Sequence, residues 1–417
     1  MNDALLYLKS LRTDNALFNV SFVLLLLAVA LLPFTTWLMW PIGILLLVLW
    51  AAQGDWRGKW ANFKANDGIP YGFFLLAICL IPTIGLLYSE HTNYAWRTVE
   101  CYLWFFIAPA IILTCSRDLL TNKHIQSLLC VFSASAFVHI LILFARGIFM
   151  GLKTGDTNYL YYSTFSFLRH PTYVAIYTTF AYLATLVYHI DNHHTLSLRR
   201  RVLLHVAEAI MTVGVFCLYS RAGILTFVTA HIPVAIYAVR KRKTEWIWML
   251  MIFATLGILL TLLLTTNIAP RNRFTEPKYT MEEDDNPKSS DVRLIIWQAT
   301  WEAAVENLPF GTGTGDAFDA IREKYQRHGH WLNFNHNYNA HNQFLQALIT
   351  NGIPGIILLL LYFATPLCEA IRHRDILLLS VFILLVLNSC VECVFDRRFG
   401  VDFFAMMIPL LMMRHET

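Results

Sequence analysis

From Phe18 to Phe34 the chain runs seventeen residues without a charged side chain, and runs of this kind recur along most of its length. A helix that crosses a bilayer needs about 20 mostly apolar residues, with about 17 as a practical minimum. Spans are expected near 18–34, 37–52, 70–88, 99–115, 126–149, 172–190, 203–219, 222–239, 246–268, 352–370, 375–391 and 399–413. The pattern predicts an all-α polytopic membrane protein with about 12 transmembrane helices. The link at 219–222 is so short that the seventh and eighth spans must form a tight hairpin. No cleavable signal peptide is expected ahead of the first, because the charged n-region is long and no small-residue cleavage site follows.

Composition excludes the main alternatives. The chain is 57% apolar and 14% charged, whereas a soluble domain carries about a quarter charged residues. An ordinary cytosolic enzyme is excluded, as are a disordered chain, a collagen-like fibre and a disulfide scaffold. The net charge of +4 is scattered in small clusters, which argues against a nucleic-acid partner. Cys79, Cys101, Cys130 and Cys217 lie in apolar runs and read as small buried hydrophobes. Cys390 and Cys393 form a C-x-x-C with no second pair to complete a zinc site, so packing is the expected role.

Cytoplasmic loops are enriched in Lys and Arg. With the N-terminus inside, seventeen basic residues fall on cytoplasmic segments and seven on the opposite short segments. Both termini are therefore expected in the cytoplasm. The division expected is a transmembrane bundle over 1–268, an outer loop domain over 269–351 between the ninth and tenth spans, and three further spans with a short tail over 352–417.

That outer stretch is the only long polar one, and a loop of such length is functional or disordered. Its acidic run, Glu282 to Asp285, reads as mobile rather than as a Mg²⁺ site. Ser290 or Asp291 can cap a helix reaching about Asn307, before Pro309. Arg293, Trp297, Trp301 and Ala304 share one face of it, which suits a helix lying at the membrane surface with its aromatics toward lipid. Gly311, Gly313 and Gly315 read as a turn, since no Gly-Lys-Ser/Thr follows to make a P-loop. A second short helix carries Phe318, Ile321 and Tyr325. A third begins near His341 and ends at Gly352-Ile-Pro-Gly355.

Few residues are placed for chemistry. Arg221 interrupts two apolar runs, and a charge at a helix centre costs about 2.5–3.5 kcal/mol. It either snorkels to the interface or faces an anionic group, for which a guanidinium fork suits phosphate oxygens. Arg293 is a solvated helix residue or, above Trp297 and Trp301, a contact to a lipid phosphate. Arg271, Arg273 and Arg169 carry the same two readings. His328, His330, His336 and His341 crowd the outer loop, but their spacing lacks an H-E-x-x-H pair, and no metal site is expected there. His341 differs in opening an apolar helix, where an imidazole can act as a base or simply bond to the helix start.

Two motifs identify the chain as similar to a known family. His341-Asn342, nine residues and Gly352-Ile-Pro-Gly355 match His-[Asn/Ser/Gln]-x9-Gly-x-x-Gly, and Arg221-Ala-Gly-Ile-Leu225 matches Arg-x3-Leu. Together with the long outer loop, they resemble the O-antigen ligases and their relatives, the O-antigen polymerases and bacterial protein O-oligosaccharyltransferases. The resemblance covers the chain from about residue 200 onward. It implies a metal-independent, cofactor-free membrane glycosyltransferase of the GT-C type, in the bacterial inner membrane with a periplasmic active site. The implied donor is a glycan on undecaprenyl pyrophosphate, and the acceptor is a hydroxyl of lipid A-core. Carried over, His341 orients or deprotonates the acceptor, while Arg221 and Arg293 hold the pyrophosphate. Arg271, Arg273, Arg169 and Asn342 are further substrate-binding candidates. A polymerase or a protein glycosyltransferase would use the same donor. A polysaccharide-lipid transporter of similar helix count is the non-enzymatic rival, though the two halves show no internal repeat.

Overall fold

The computed structural model describes residues 10–241, 289–336 and 338–414. The expected ninth span, the acidic run at 282–285 and the candidates Arg271 and Arg273 lie outside the described residues. Among the described residues all regular elements are helical. Among the described residues, six helices are long and apolar enough to cross a membrane: Gly68–Leu86, Thr92–Leu113, Asn122–Thr154, Pro171–Asn192, Arg221–Lys241 and Gln343–His373. Met39–Ala52 and Trp56–Ala65 make a seventh if the pair, bent by 112°, is one broken span.

The other expected spans coincide with shorter or more polar helices. Ala16–Leu31 and Ile376–Ser389 are apolar but short. Leu198–Cys217 opens on Arg199, Arg200 and Arg201 and carries Glu208, and Arg398–Met412 carries Asp402. Local chemistry sets the ends. Asn15 accepts from the Phe18 amide at 2.9 Å, Pro171 occupies the first turn of its helix, and Gly155 closes Asn122–Thr154 with φ at +72°.

The described chain divides into two compact units. Of the described residues, one holds those within 10–42, 121–241 and 370–384; the other holds those within 43–120, 289–369 and 385–414. In the first, Pro171–Asn192 is the central helix, buried over 89% of its apolar window. Asn122–Thr154, Leu198–Cys217 and Arg221–Lys241 pack around it. Ile140, Leu143, Phe165, Val174, Ala175 and Leu218 form a fully enclosed core there. Cys130 departs from its expected burial. It is exposed on Asn122–Thr154, because the buried face of that helix is the one carrying Ile125, Leu128, Leu129 and Phe132.

In the second unit, Arg398–Met412 is almost wholly buried and packs on Trp104–Leu113. The polar stretch after residue 288 folds as helices Ser289–Glu306, Ala317–Arg327 and Trp331–His336. Their shared core contains Ile296, Ala299, Ala303, Ala304, Ile321 and Tyr325, closed by Ile349 from the next helix. The expected single face of Ser289–Glu306 is therefore divided. Trp301 is 55% exposed, whereas Ala304 lies in the core and Trp297 packs against it. The exposed stripe is Leu294, Gln298, Trp301 and Val305. At about 100° per residue Ala304 returns to within about 20° of Arg293 while Trp301 stands about 80° round, so the core takes one edge of the face and leaves Trp301 on the other.

Candidate functional site

The chain turns sharply at His341. Its φ is +43°, in the left-handed region that costs a residue with a Cβ free energy unless its surroundings hold it there. Three bonds do so. The His341 amide donates to Asn339 Oδ1 at 3.2 Å, Trp297 Nε1 donates to the His341 carbonyl at 3.4 Å, and Asn342 starts the following helix. The Asn342 side chain accepts from the Phe344 and Leu345 amides at 2.9 and 3.1 Å and donates to the Cys390 carbonyl at 3.1 Å. Both ends of that amide are thus engaged by backbone groups, which makes Asn342 a cap for the helix that His341 precedes.

The held imidazole faces a carboxylate. His341 Nδ1 stands 3.5 Å from Glu392 Oε1, with the two side chains 26% and 13% exposed. At 3.5 Å this is an ion-pair distance rather than a hydrogen bond, and Nε2 is the ring nitrogen not engaged with the carboxylate. Asp396 sits one link away, its Oδ2 accepting from Asn339 Nδ2 at 3.0 Å. Burial pushes the Asp396 carboxyl up to about 6, against the opposing pull of the Asn339 bond and of Arg397. Asp396 also lines a small cleft with Tyr94, Thr98, Gln343, Gln346 and Asn351. Its walls combine apolar side chains, Ile78, Ile81 and Leu359 among them, with hydroxyls and amides of the kind that bond to neutral polyols.

The glycine motif has a specific job. The helix Gln343–His373 breaks at Gly352, where φ is +60° and ψ is −146°, a conformation essentially confined to glycine. A Cβ there would meet the Pro309 carbonyl oxygen at 2.0 Å. That carbonyl accepts from the Ile353 amide at 2.8 Å, and the Thr312 and Gly313 amides donate to Ile349 and Thr350 at 2.8 and 2.9 Å. Gly311 and Gly313, with φ at +77° and +95°, therefore do more than turn. They bring backbone against the break, where the Thr312 and Gly313 amides supply the donors that its carbonyls need. Asp316 then accepts from the Glu90 and His91 amides, both at 2.8 Å.

Arg293 lies on Ser289–Glu306, partly buried and one helical turn before Trp297. The remaining described histidines of the outer stretch stand apart from His341. His328 bonds Glu302 at 2.7 Å, which lowers the Glu302 carboxyl below its usual range, and His330 lies 6.1 Å from the His328 ring.

Arg221 and Arg169 belong to the first unit. Arg221 is exposed in the first turn of Arg221–Lys241. The preceding Ser220 accepts from the Gly223 amide at 3.2 Å and lies 3.3 Å from Thr172 Oγ1. Two helix N-termini, those of Pro171–Asn192 and Arg221–Lys241, therefore begin side by side, with Arg169 and Arg221 at their mouths. Aligned peptide dipoles and two guanidinium groups make this end of the unit receptive to anions.

Sequence reasoning missed Glu392, Asp396, Asn339 and the inward role of Trp297. The available signal was the acidic pair around C-x-x-C, which stands out in so apolar a neighbourhood.

Comparison with known proteins bears on these motifs. An uncharacterized protein of Haemophilus influenzae is 25% identical over 139 residues, covering 30% of this chain and 35% of that protein. The match thus spans about a third of that relative. Residues 206–360 match the Wzy_C family model, described as O-antigen ligase. Both Arg221-x3-Leu225 and the His341 to Gly355 motif fall inside the matched segment, to which the family similarity is confined.

Proposed function

We propose that the chain is an O-antigen ligase. It transfers a glycan from undecaprenyl pyrophosphate to a sugar hydroxyl of lipid A-core, at the periplasmic face of the inner membrane. The observation that carries this reading is His341, fixed in a left-handed corner with Nδ1 toward Glu392 at 3.5 Å. A ring oriented in this way is suited to a general base acting through Nε2.

In the proposed step the acceptor hydroxyl gives its proton to His341 Nε2 as its oxygen attacks carbon one of the donor sugar. The bond from that carbon to the pyrophosphate oxygen breaks, and undecaprenyl pyrophosphate leaves with the electron pair. Arg293, in the unit that carries His341, neutralises the departing oxygens; Arg221, Arg169, Arg271 and Arg273 are the further cations that the family resemblance offers as candidates. Preorganised donors of this kind provide the largest single stabilisation where charge develops. Guanidinium groups then do the work a divalent ion does in many phosphate sites, so the reaction is metal-independent. Attack opposite the leaving group inverts the anomeric centre.

The test is complementation of a ligase-null strain with wild type and with His341→Ala, Arg221→Ala and Arg293→Ala, reading the lipopolysaccharide ladder. Wild type restores attachment to core and the variants do not. Polymer that lengthens without ever reaching core would make the protein a polymerase. Full attachment by His341→Ala would remove the base assignment.

A further inference from the structure

The far end of the central helix of the first unit carries a second cluster of ligating side chains. His189 lies in the last turn of Pro171–Asn192, and His205 and Glu208 lie at i and i+3 in the middle of Leu198–Cys217. The short 193–197 link folds these helix ends together. Glu208 Oε2 lies 3.1 Å from His205 Nδ1, and Oε1 lies 3.6 Å from His189 Nδ1. The Glu208 and His189 side chains are 3% and 5% exposed. The buried Oε1 accepts no hydrogen bond, although an unpaired buried carboxylate oxygen is costly.

These distances have a simple reading. Zinc bonds to His nitrogen and carboxylate oxygen are about 2.0–2.2 Å, so ligand atoms on a tetrahedral ion stand about 3.3 Å apart. The two observed separations bracket that value, and one atom from each of the three side chains lies within 4.8 Å of the others. His193 stacks on His189 at 5.9 Å and 17°, and its Nε2 accepts from Arg201 at 3.0 Å. It buttresses the His189 ring without offering that nitrogen as a ligand.

We propose that His189 Nδ1, His205 Nδ1 and the Glu208 carboxylate bind one divalent transition-metal ion, with zinc the best fit to two imidazoles and a carboxylate. The fourth position takes water. Binding requires both imidazoles as the Nε2–H tautomer, so that the Nδ1 lone pairs face the ion. The ion clasps the two helices at their joined ends. It lies nineteen residues along the helix from His170, about 28 Å at 1.5 Å per residue, and takes no part in glycosyl transfer.

Full-length protein in detergent, freed of any polyhistidine tag and stripped with chelator, is reloaded with Co²⁺ or Zn²⁺ alone and desalted. Wild type is expected to retain about one ion per chain with the visible bands of tetrahedral Co²⁺, and to melt at a higher temperature with Zn²⁺ than without. Glu208→Gln and His205→Ala should lose the ion, the bands and the Zn²⁺ shift, while His328→Ala keeps all three. His205→Cys should retain Co²⁺ and add a thiolate-to-cobalt charge-transfer band, which neither misfolding nor a bare hydrogen-bond network can produce. The proposal is overturned if wild type holds no Co²⁺, if Glu208→Gln binds it as fully as wild type, or if His205→Cys binds it without the new band.

Discussion

His341 and Glu392 are 51 residues apart in sequence, yet the imidazole Nδ1 of one stands 3.5 Å from the carboxylate of the other. The pairing gives the single histidine an orientation that its motif alone does not specify. Its removal tests the base assignment from outside the motif. Glu392→Gln keeps the shape and loses the charge, and should lower ligation at neutral pH markedly, while His341→Ala should cost on the order of 10²–10⁴-fold. In-vitro transfer to purified core, followed as product per unit time, measures both. Equal rates for wild type and Glu392→Gln would show that the carboxylate has no part in orienting the ring.

Gly352→Ala should be among the most damaging single changes in the chain. The added methyl meets the Pro309 carbonyl oxygen at 2.0 Å, and the positive φ alone costs about 1–3 kcal/mol. Thermal melting in detergent should show a large loss of stability or no folded protein at all. Gly155→Ala, also at positive φ but with open space around it, should cost only the backbone term.

Asp396 predicts a pH dependence with a definite sign. Burial raises its carboxyl to about 6 from an ordinary value of 3.8, so the folded state holds the proton more tightly than the unfolded one. Its contribution is fully present below about 3.8 and is lost as pH rises through about 6. Asp396→Asn should flatten the change in melting temperature across that window. An unchanged pH profile in the variant would contradict the assignment.

The pairing of His91 with Asp316, at 2.8 Å, works in a bounded window. Hydrogen bonding to Asp316 and the charge of Asp319 raise His91 above 6.5. Asp316 is held below 3.8 by the His91 and Glu90 amides and the His91 ring, which outweigh its desolvation. The histidine contribution is present below 6.5 and fades as pH rises through the raised value; the aspartate contribution is present above 3.8 and fades as pH falls. Asp316→Asn should therefore narrow the stability difference between mildly acidic and alkaline pH, as read by melting temperature.

Arg221→Lys separates charge from shape. If the residue holds two phosphate oxygens with a planar fork, lysine restores little of the activity lost in Arg221→Ala. If it serves only as an interfacial anchor, both variants should give normal lipopolysaccharide ladders.

What was legible in the sequence is what obeys local rules. Apolar runs located the helices, Pro309 and the glycines located the breaks, and the spacing from His341 to Gly355 located the corner. The partners of that corner were not legible. Glu392 and Asp396 follow an apolar helix and read as its polar exit, and only the fold brings them to Asn339 and His341. Trp297 was expected to face lipid with Trp301, but its indole instead bonds the His341 carbonyl. Helical periodicity marks a stripe without saying which edge of it the core will take. The His189, His205 and Glu208 cluster was invisible for the same reason, since its three ligands come from two helices across a turn.

The break at Gly352 is closed by the Pro309 carbonyl and the Thr312 and Gly313 amides, so no loose joint separates His341 from the apolar helix that continues to His373. A bilayer holds such a helix at a preferred depth. The helix is thereby a depth gauge for the histidine, and hydrocarbon thickness sets the height at which the imidazole stands above the lipid. Lengthening or shortening that helix by a turn would raise or lower His341 by about 5 Å, changing which part of a lipid-borne molecule it can reach without altering a single contact around the ring.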